Sequence, residues 1–233
     1  MKARMESLDM LANNIANAST GGYKGDSEFY TLFTSEAASE DSMDPQVTLP
    51  SIQSRWTDFS QGLLQPTGNP LDFGLSGKGF FTVQGPSGSL YTRNGSFQVS
   101  SNGSVVTPEG YPLLLQGGQT LQANPAQPVE VSTDGSVRQQ GQLLGQLQLV
   151  SFKNASVLDK QGNNYFVNTS ADAPEDASGV EVQQGKLENS NVNPAQAAVR
   201  LISVSRQFEM MQKAISIAGE MGRKSIEEVA KVG

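Results

Sequence analysis

Apolar residues at the two ends of the chain recur in alternating steps of four and three, while in the middle they alternate in steps of two. Near the C-terminal end Ala197, Leu201, Val204, Phe208, Met211, Ile215 and Ala218 form a heptad seam. Asn193 suits the N-cap of this helix, and Pro194 suits its first position, where the missing N–H has no intrahelical partner in any case. Past Gly222 the seam resumes at Ile226 and Val229, an extra four-step that reads as a stutter. At the N-terminal end Met1, Met5, Leu8, Ala12 and Ile15 repeat the spacing. The run Asn17-Ala18-Ser19-Thr20-Gly21-Gly22 stops it, because Asn and Gly accept the left-handed conformation beyond a helix end.

An amphipathic helix leaves its stripe bare unless another element covers it. The spacing therefore predicts that the N- and C-terminal helices pair as an α-helical coiled coil. Its packing residues are Met5, Leu8, Ala12, Ile15, Leu201, Val204, Phe208, Met211 and Ile215. The alternative is two surface helices packed separately on a central domain.

Between the ends the reading is of a central all-β antiparallel domain, so that the whole fold is mixed α and β. Gly77-Lys78-Gly79-Phe80-Phe81-Thr82-Val83 is a glycine-bounded strand. Asn102-Gly103 and Asp134-Gly135, each flanked by alternating apolar residues, are hairpin signals. They share a spelling, Val99-Ser100-Ser101-Asn102-Gly103-Ser104-Val105 against Val131-Ser132-Thr133-Asp134-Gly135-Ser136-Val137, which internal repetition and common hairpin grammar explain equally well. Gly145–Phe152 and Asn163–Val167 read as further strands. The expected division is an N-terminal helix and turn over 1–33, an acidic connector over 34–51, the β domain over 52–184 and the C-terminal helix with its approach over 185–233. The connector, poor in apolar residues, is expected to be mobile in the free chain and to order on assembly.

Composition narrows the chemistry. The chain has 233 residues, a net charge of −7, and neither cysteine nor histidine. Thiol nucleophiles, disulfides, histidine bases and the usual zinc sites are thereby removed, and no cofactor is implied. The negative balance speaks against nucleic acid or an anionic membrane as the main partner. No apolar run is long enough for membrane insertion, and no leader with a small-residue cleavage site is visible. Gly77-Lys78-Gly79 lacks the spacing of a phosphate-binding loop. Asp58, Asp72, Glu109, Glu130 and Asp134 carry carboxylates, and glycoside hydrolysis needs a pair. Asp134 is better explained by its turn, and nothing in the sequence brings two of the others together. The methionines of the terminal segments suit adaptable packing better than metal binding.

Four motifs in order give the chain a family resemblance. Leu11–Lys24, with Asn13, Asn14, Asn17, Ser19 and Gly22, resembles the N-terminal signature of bacterial flagellar rod and hook proteins. The stretch with Gly77, Gly79, Phe80 and Phe81, then Tyr91–Phe97 with Arg93, Gly95 and Phe97, then Gly110-Tyr111-Pro112-Leu113, is similar to their centre. Gly185–Asn193, containing Ser190, Asn191, Val192 and Asn193, is similar to the approach to their C-terminal helix.

The resemblance implies a non-catalytic structural subunit of the flagellar basal body. Its partners would be other axial subunits, in a homo- and hetero-oligomeric helical assembly, and the flagellar type III export apparatus, with export through the latter requiring no cleaved signal peptide. It would sit in the periplasm-spanning rod as part of the hollow drive shaft for motility. Ser205–Ile215 looks most like the proximal rod type, with the distal type as the alternative. Members of the family begin several residues before the position of Met1, so the chain is expected to lack the start of its inner helix. Two readings of other classes stand beside this one: a carboxylate-based peptidoglycan hydrolase using Asp58 or Asp72, and a coiled-coil β adhesin.

Overall fold

A computed structural model describes residues 2–34, 48–162 and 164–232. The chain divides into two compact units, one of Met1–Ala16, Asp26–Trp56 and Asn193–Gly233, the other of Asn17–Gly25 and Thr57–Val192. The second is the β unit. Its largest sheet has six strands in the order Leu158–Lys160, Tyr165–Asn168, Gly88–Thr92, Phe80–Gly85, Leu149–Ser151, Glu175–Asp176. Neighbours along this order pair antiparallel, with Phe81 opposite Thr92 and Leu149 opposite Phe81.

This sheet is buried on both faces, which is why its strands read as apolar runs rather than as clean alternation. Phe81, Val83, Leu90, Leu149 and Tyr165 point into the main core, among Phe73, Phe97, Leu113, Val137 and Val182. Their strand neighbours Phe80, Tyr91, Val150 and Phe166 point to the other side, where Phe59 and Phe152 join them. There the rings of Phe59, Phe80 and Phe166 meet edge to face at centroid distances of 5.1–5.8 Å, a preferred aromatic geometry.

The two related turns are built alike. Ser100 N donates to Ser104 O at 2.8 Å and Gly103 N to Ser100 O at 2.9 Å; Ser132 N donates to Ser136 O and Gly135 N to Ser132 O, both at 2.9 Å. Only the glycine of each is left-handed, with φ of 84° in both cases. These are therefore type I turns followed by a glycine bulge, not the two-residue turns in which both central residues need positive φ. The stretch Gly145–Phe152, which reads as one strand, is divided. Gln142–Gln146 closes a three-stranded sheet and Leu149–Ser151 belongs to the six-stranded one. Between them Leu147 N donates to Gly135 O and Gln148 N to Leu114 O, so the chain changes sheets without breaking its alternation.

The other unit corrects the expected coiled coil. Its described residues contain α1 (Lys2–Ala16) and α2 (Pro194–Val232), 15 and 39 residues long. At 1.5 Å per residue these span about 22 and about 58 Å, so α1 cannot line most of α2. Among the described residues the helices meet in one small cluster, where Met10 and Leu11 pack on Val204 with Leu8 and Leu201 beside them. Met5 and Ala12, expected in the seam, face solvent, and Met10 and Leu11 are buried instead. Beyond the cluster, Met211 and Ile215 are exposed. The terminal helices thus touch over a short stretch and do not form a heptad-paired coiled coil.

The start of α2 is capped by Asn193, whose Oδ1 accepts from Ala195 N and Gln196 N at 3.1 Å. In the same unit, Asn14 grips Asp26 from both sides: its Nδ2 donates to Asp26 O at 2.8 Å and its Oδ1 accepts from Asp26 N at 3.0 Å. Glu28 accepts from Ser7 Oγ and pairs with Arg200 at 3.5 Å. The strands Asp26–Thr34 and Thr48–Thr57 pair with each other. Most of the acidic connector, residues 35–47, lies outside the described residues.

Candidate functional site

The β unit holds a buried ion triad. Lys24 Nζ lies 2.5 Å from Glu188 Oε1, and Arg93 Nη1 lies 3.1 Å from Glu188 Oε2. The side chains of Lys24 and Glu188 have no exposed surface, and Arg93 is 3 % exposed. Isolated charges are very costly at such depth, so the remaining donors and acceptors matter. Lys24 Nζ also donates to Ser60 O at 2.7 Å. Arg93 Nη2 donates to Gly77 O at 2.5 Å, and Glu188 Oε1 accepts from Gly62 N at 2.8 Å. The Arg93 guanidinium also stands 5.4 Å from the centre of the Phe80 ring. Its Nε is buried with no hydrogen-bond partner. Burial pulls the Lys24 ammonium below its ordinary pKa, with Glu188 acting in the opposite direction, and burial lowers Arg93 likewise.

The backbone around the triad admits only glycine at several positions, among them Gly22, Gly62 and Gly95. Gly22 has φ of +68°, and a Cβ there would stand 2.3 Å from Asn94 N. A Cβ on Gly95 would stand 1.7 Å from Phe73 O. Gly22 N in turn donates to Glu188 O at 2.6 Å. Asn191 completes the arrangement. It accepts from Gly25 N at 2.8 Å through Oδ1, donates to Asp58 O at 2.7 Å through Nδ2, and its own N–H donates to Tyr23 O.

Many of the motif residues singled out in the sequence gather around this triad. Gly22, Gly77, Phe80, Arg93, Gly95 and Asn191 touch the triad or the backbone that frames it. Phe81 and Phe97 stack edge to face at 5.4 Å in the main core, and Gly79 is buried beside Val180 and Ala177. Asn17 closes the turn after α1 by accepting from Thr20, Ser190 Oγ accepts from Val192 N, and Val192 is half-buried. Asn13 and Ser19 are exposed, and Asn14 and Asn193 act in the helical unit as described. Of the packing residues, Leu8, Leu201 and Val204 meet, Ile15 and Phe208 are half-buried, and Met5, Ala12, Met211 and Ile215 are exposed.

Lys24 and Glu188 themselves stood within the quoted motifs but were not singled out. The only sequence signal for them is a charge set among glycines and asparagines. Four of the five candidate carboxylates have hydrogen-bond donors: Asp58 and Asp134 accept from Ser60 and Ser136 two residues on, Asp72 accepts from Asn69, and Glu109 accepts from Tyr165; Glu130 is exposed.

A second feature lies on α2. Val199, Ile202, Met210, Met211, Ile215, Ile217 and Met221 are between 38 and 69 % exposed. So many large apolar side chains along one helix are more than scattered surface hydrophobics.

Comparison with known proteins accounts for the motifs. Residues 1–24 match the family described as Flagella basal body rod protein. Residues 74–139 match the Flagellar hook protein FlgE/F/G D1 domain, and residues 183–228 match the Flagellar basal body rod FlgEFG protein C-terminal family. Each matched segment supplies one member of the triad: Lys24, Arg93 and Glu188. Among whole proteins, the chain is 34 % identical to Flagellar basal-body rod protein FlgF of Caulobacter vibrioides, over 97 % of this chain and 92 % of that one. It is 35 % identical to FlgF of Mesorhizobium japonicum, over 87 % and 83 %, and 34 % identical to Flagellar basal-body rod protein FlgG of Buchnera aphidicola, over 96 % and 94 %. Similarity of this extent, together with the three matched segments, places the chain in the flagellar basal-body rod protein family, whose members are structural subunits of the rod.

Proposed function

We propose that this rod subunit is of the proximal type, works without catalysis, and joins its axial neighbours through the exposed apolar side of α2. The observation that carries this is the run Met210, Met211, Ile215, Ile217 and Met221, all exposed along α2. Apolar surface of this kind is removed from water when a neighbouring subunit packs on it. Repeated head-to-tail contacts that do not close into a ring generate an open helix, the geometry a hollow shaft needs. The Ser205–Ile215 segment favours the proximal type. Relatives named FlgG match over as much of the chain as those named FlgF, which keeps the distal type as the second reading. Passage through the flagellar type III export apparatus, and a final place in the periplasm-spanning rod, complete the reading.

The test is complementation. The wild-type gene is expected to restore motility to a host lacking its proximal rod subunit and not to one lacking its distal subunit; the reverse pattern would establish the distal reading. Phe208→Asp is expected to block rod completion with the β unit still folded, and normal motility with that variant would refute assembly through α2.

A further inference from the structure

The segment Asn17–Gly25 belongs to the β unit although α1 and the strand Asp26–Thr34, which flank it, belong to the other. It joins none of the sheets. Scattered bonds rather than a ladder hold it: Gly22 N to Glu188 O, Gly25 N to Asn191 Oδ1, Asn191 N to Tyr23 O, Asp58 N to Gly25 O at 2.8 Å, Asn164 Nδ2 to Gly21 O at 2.9 Å and Lys160 Nζ to Lys24 O at 2.6 Å, besides the Lys24 bonds to Glu188 and Ser60 O. Lys160 Nζ also sits 4.6 Å from the centre of the Tyr23 ring.

The charges are arranged asymmetrically. With Lys24 seated, two cations share one carboxylate. With Lys24 withdrawn, Arg93 and Glu188 remain a neutral pair at 3.1 Å, and Glu188 keeps its bond from Gly62 N. The socket is therefore self-sufficient without its occupant, whereas the occupant regains full hydration on leaving. We infer that Asn17–Gly25 is a latch that opens as a unit from a β core that stays folded, with Lys24 as the bolt seated against Glu188. Sub-global openings of this kind involve segments with few ladder bonds, as here. The inference concerns the isolated subunit and stands whether the rod position is proximal or distal.

Native-state hydrogen exchange on the full chain, followed across urea concentrations below global unfolding, tests it. In the wild type, the Gly22 and Gly25 amides are expected to exchange through an opening with much weaker urea dependence than the amides of Phe80–Gly85 and Gly88–Thr92. A common dependence for both sets would overturn the latch. Lys24→Met, which keeps the apolar stem and removes the charge, is expected to speed exchange at Gly22 and Gly25 at least tenfold while leaving the two strands within twofold. Equal acceleration everywhere, or none at the latch, would equally overturn it. Should Lys24→Met not fold, the segment is part of the core and the inference fails.

Discussion

Lys24 and Glu188 stand 164 positions apart in the chain and meet at 2.5 Å with neither side chain exposed. The contact joins the segment after the first helix to the segment before the last. Because Glu188 is the only anion of the triad, it is the member whose loss leaves two buried cations facing each other.

Glu188→Ala is accordingly expected to destabilise the β unit by about 3–5 kcal/mol, the usual cost of leaving buried charge unpaired. Urea denaturation followed by the fluorescence of the aromatic cluster measures it. A loss below about 1 kcal/mol would mean that water reaches the triad, since exposed pairs contribute no more than that.

Gly95→Ala places a methyl carbon 1.7 Å from the Phe73 carbonyl oxygen, a contact only a backbone shift can relieve. The expected cost is roughly 4 kcal/mol or more, among the largest seen for a single substitution. Soluble expression and thermal melting against the wild type decide it. Gly110→Ala is a useful control, because a Cβ there meets nothing within 4 Å and the penalty comes only from its φ of +93°.

Leu11→Ala and Ile215→Ala separate packing within the chain from packing between chains. Leu11 is buried against Val204, and its truncation is expected to release α1 at a cost of about 2 kcal/mol or more. Ile215 is 57 % exposed, so its truncation is expected to change the stability of the free subunit by no more than about 0.5 kcal/mol while reducing motility. Circular dichroism of the free subunit and a swimming assay read the two effects.

Burial raises the Tyr165 phenol above its ordinary pKa, and its hydrogen bond to Glu109 adds to the rise. A folded-state pKa above the unfolded value gives stability that is complete below the unfolded pKa of 10.0 and is lost as pH climbs past it. Tyr165→Phe is expected to lower stability near neutral pH by about 1.5 kcal/mol, the worth of a hydrogen bond to a charged group. It should also show a shallower decline than wild type between about pH 9 and 11, where the unfolded tyrosine ionises. Tyr91, also raised by burial, keeps the variant from becoming flat. Urea midpoints at a series of pH values for both proteins give the comparison, and parallel profiles would contradict it.

Features settled within a few residues were legible in the sequence. Asn193 and Pro194 mark the start of α2 because the cap bonds reach only to Ala195 and Gln196. Asn102-Gly103 and Asp134-Gly135 mark their turns because Asn102 Oδ1 and Asp134 Oδ1 accept from the N–H two residues on. The motifs that carry the family resemblance were legible in the same way, as local spellings.

What the tertiary structure alone decided concerns residues far apart in the chain. Periodicity says that α1 has an apolar side, but Met10 and Leu11 rather than Met5 and Ala12 face Val204, because that choice depends on where α2 passes. Alternation along Gly145–Phe152 is continuous, and only the competing partners of two sheets divide it. The joining of Lys24, Arg93 and Glu188 has no periodic signature at all. A lysine among glycines reads as a solvated turn until the fold removes water from three distant segments at once, and then the charges must find one another, because in the interior nothing else can solvate them.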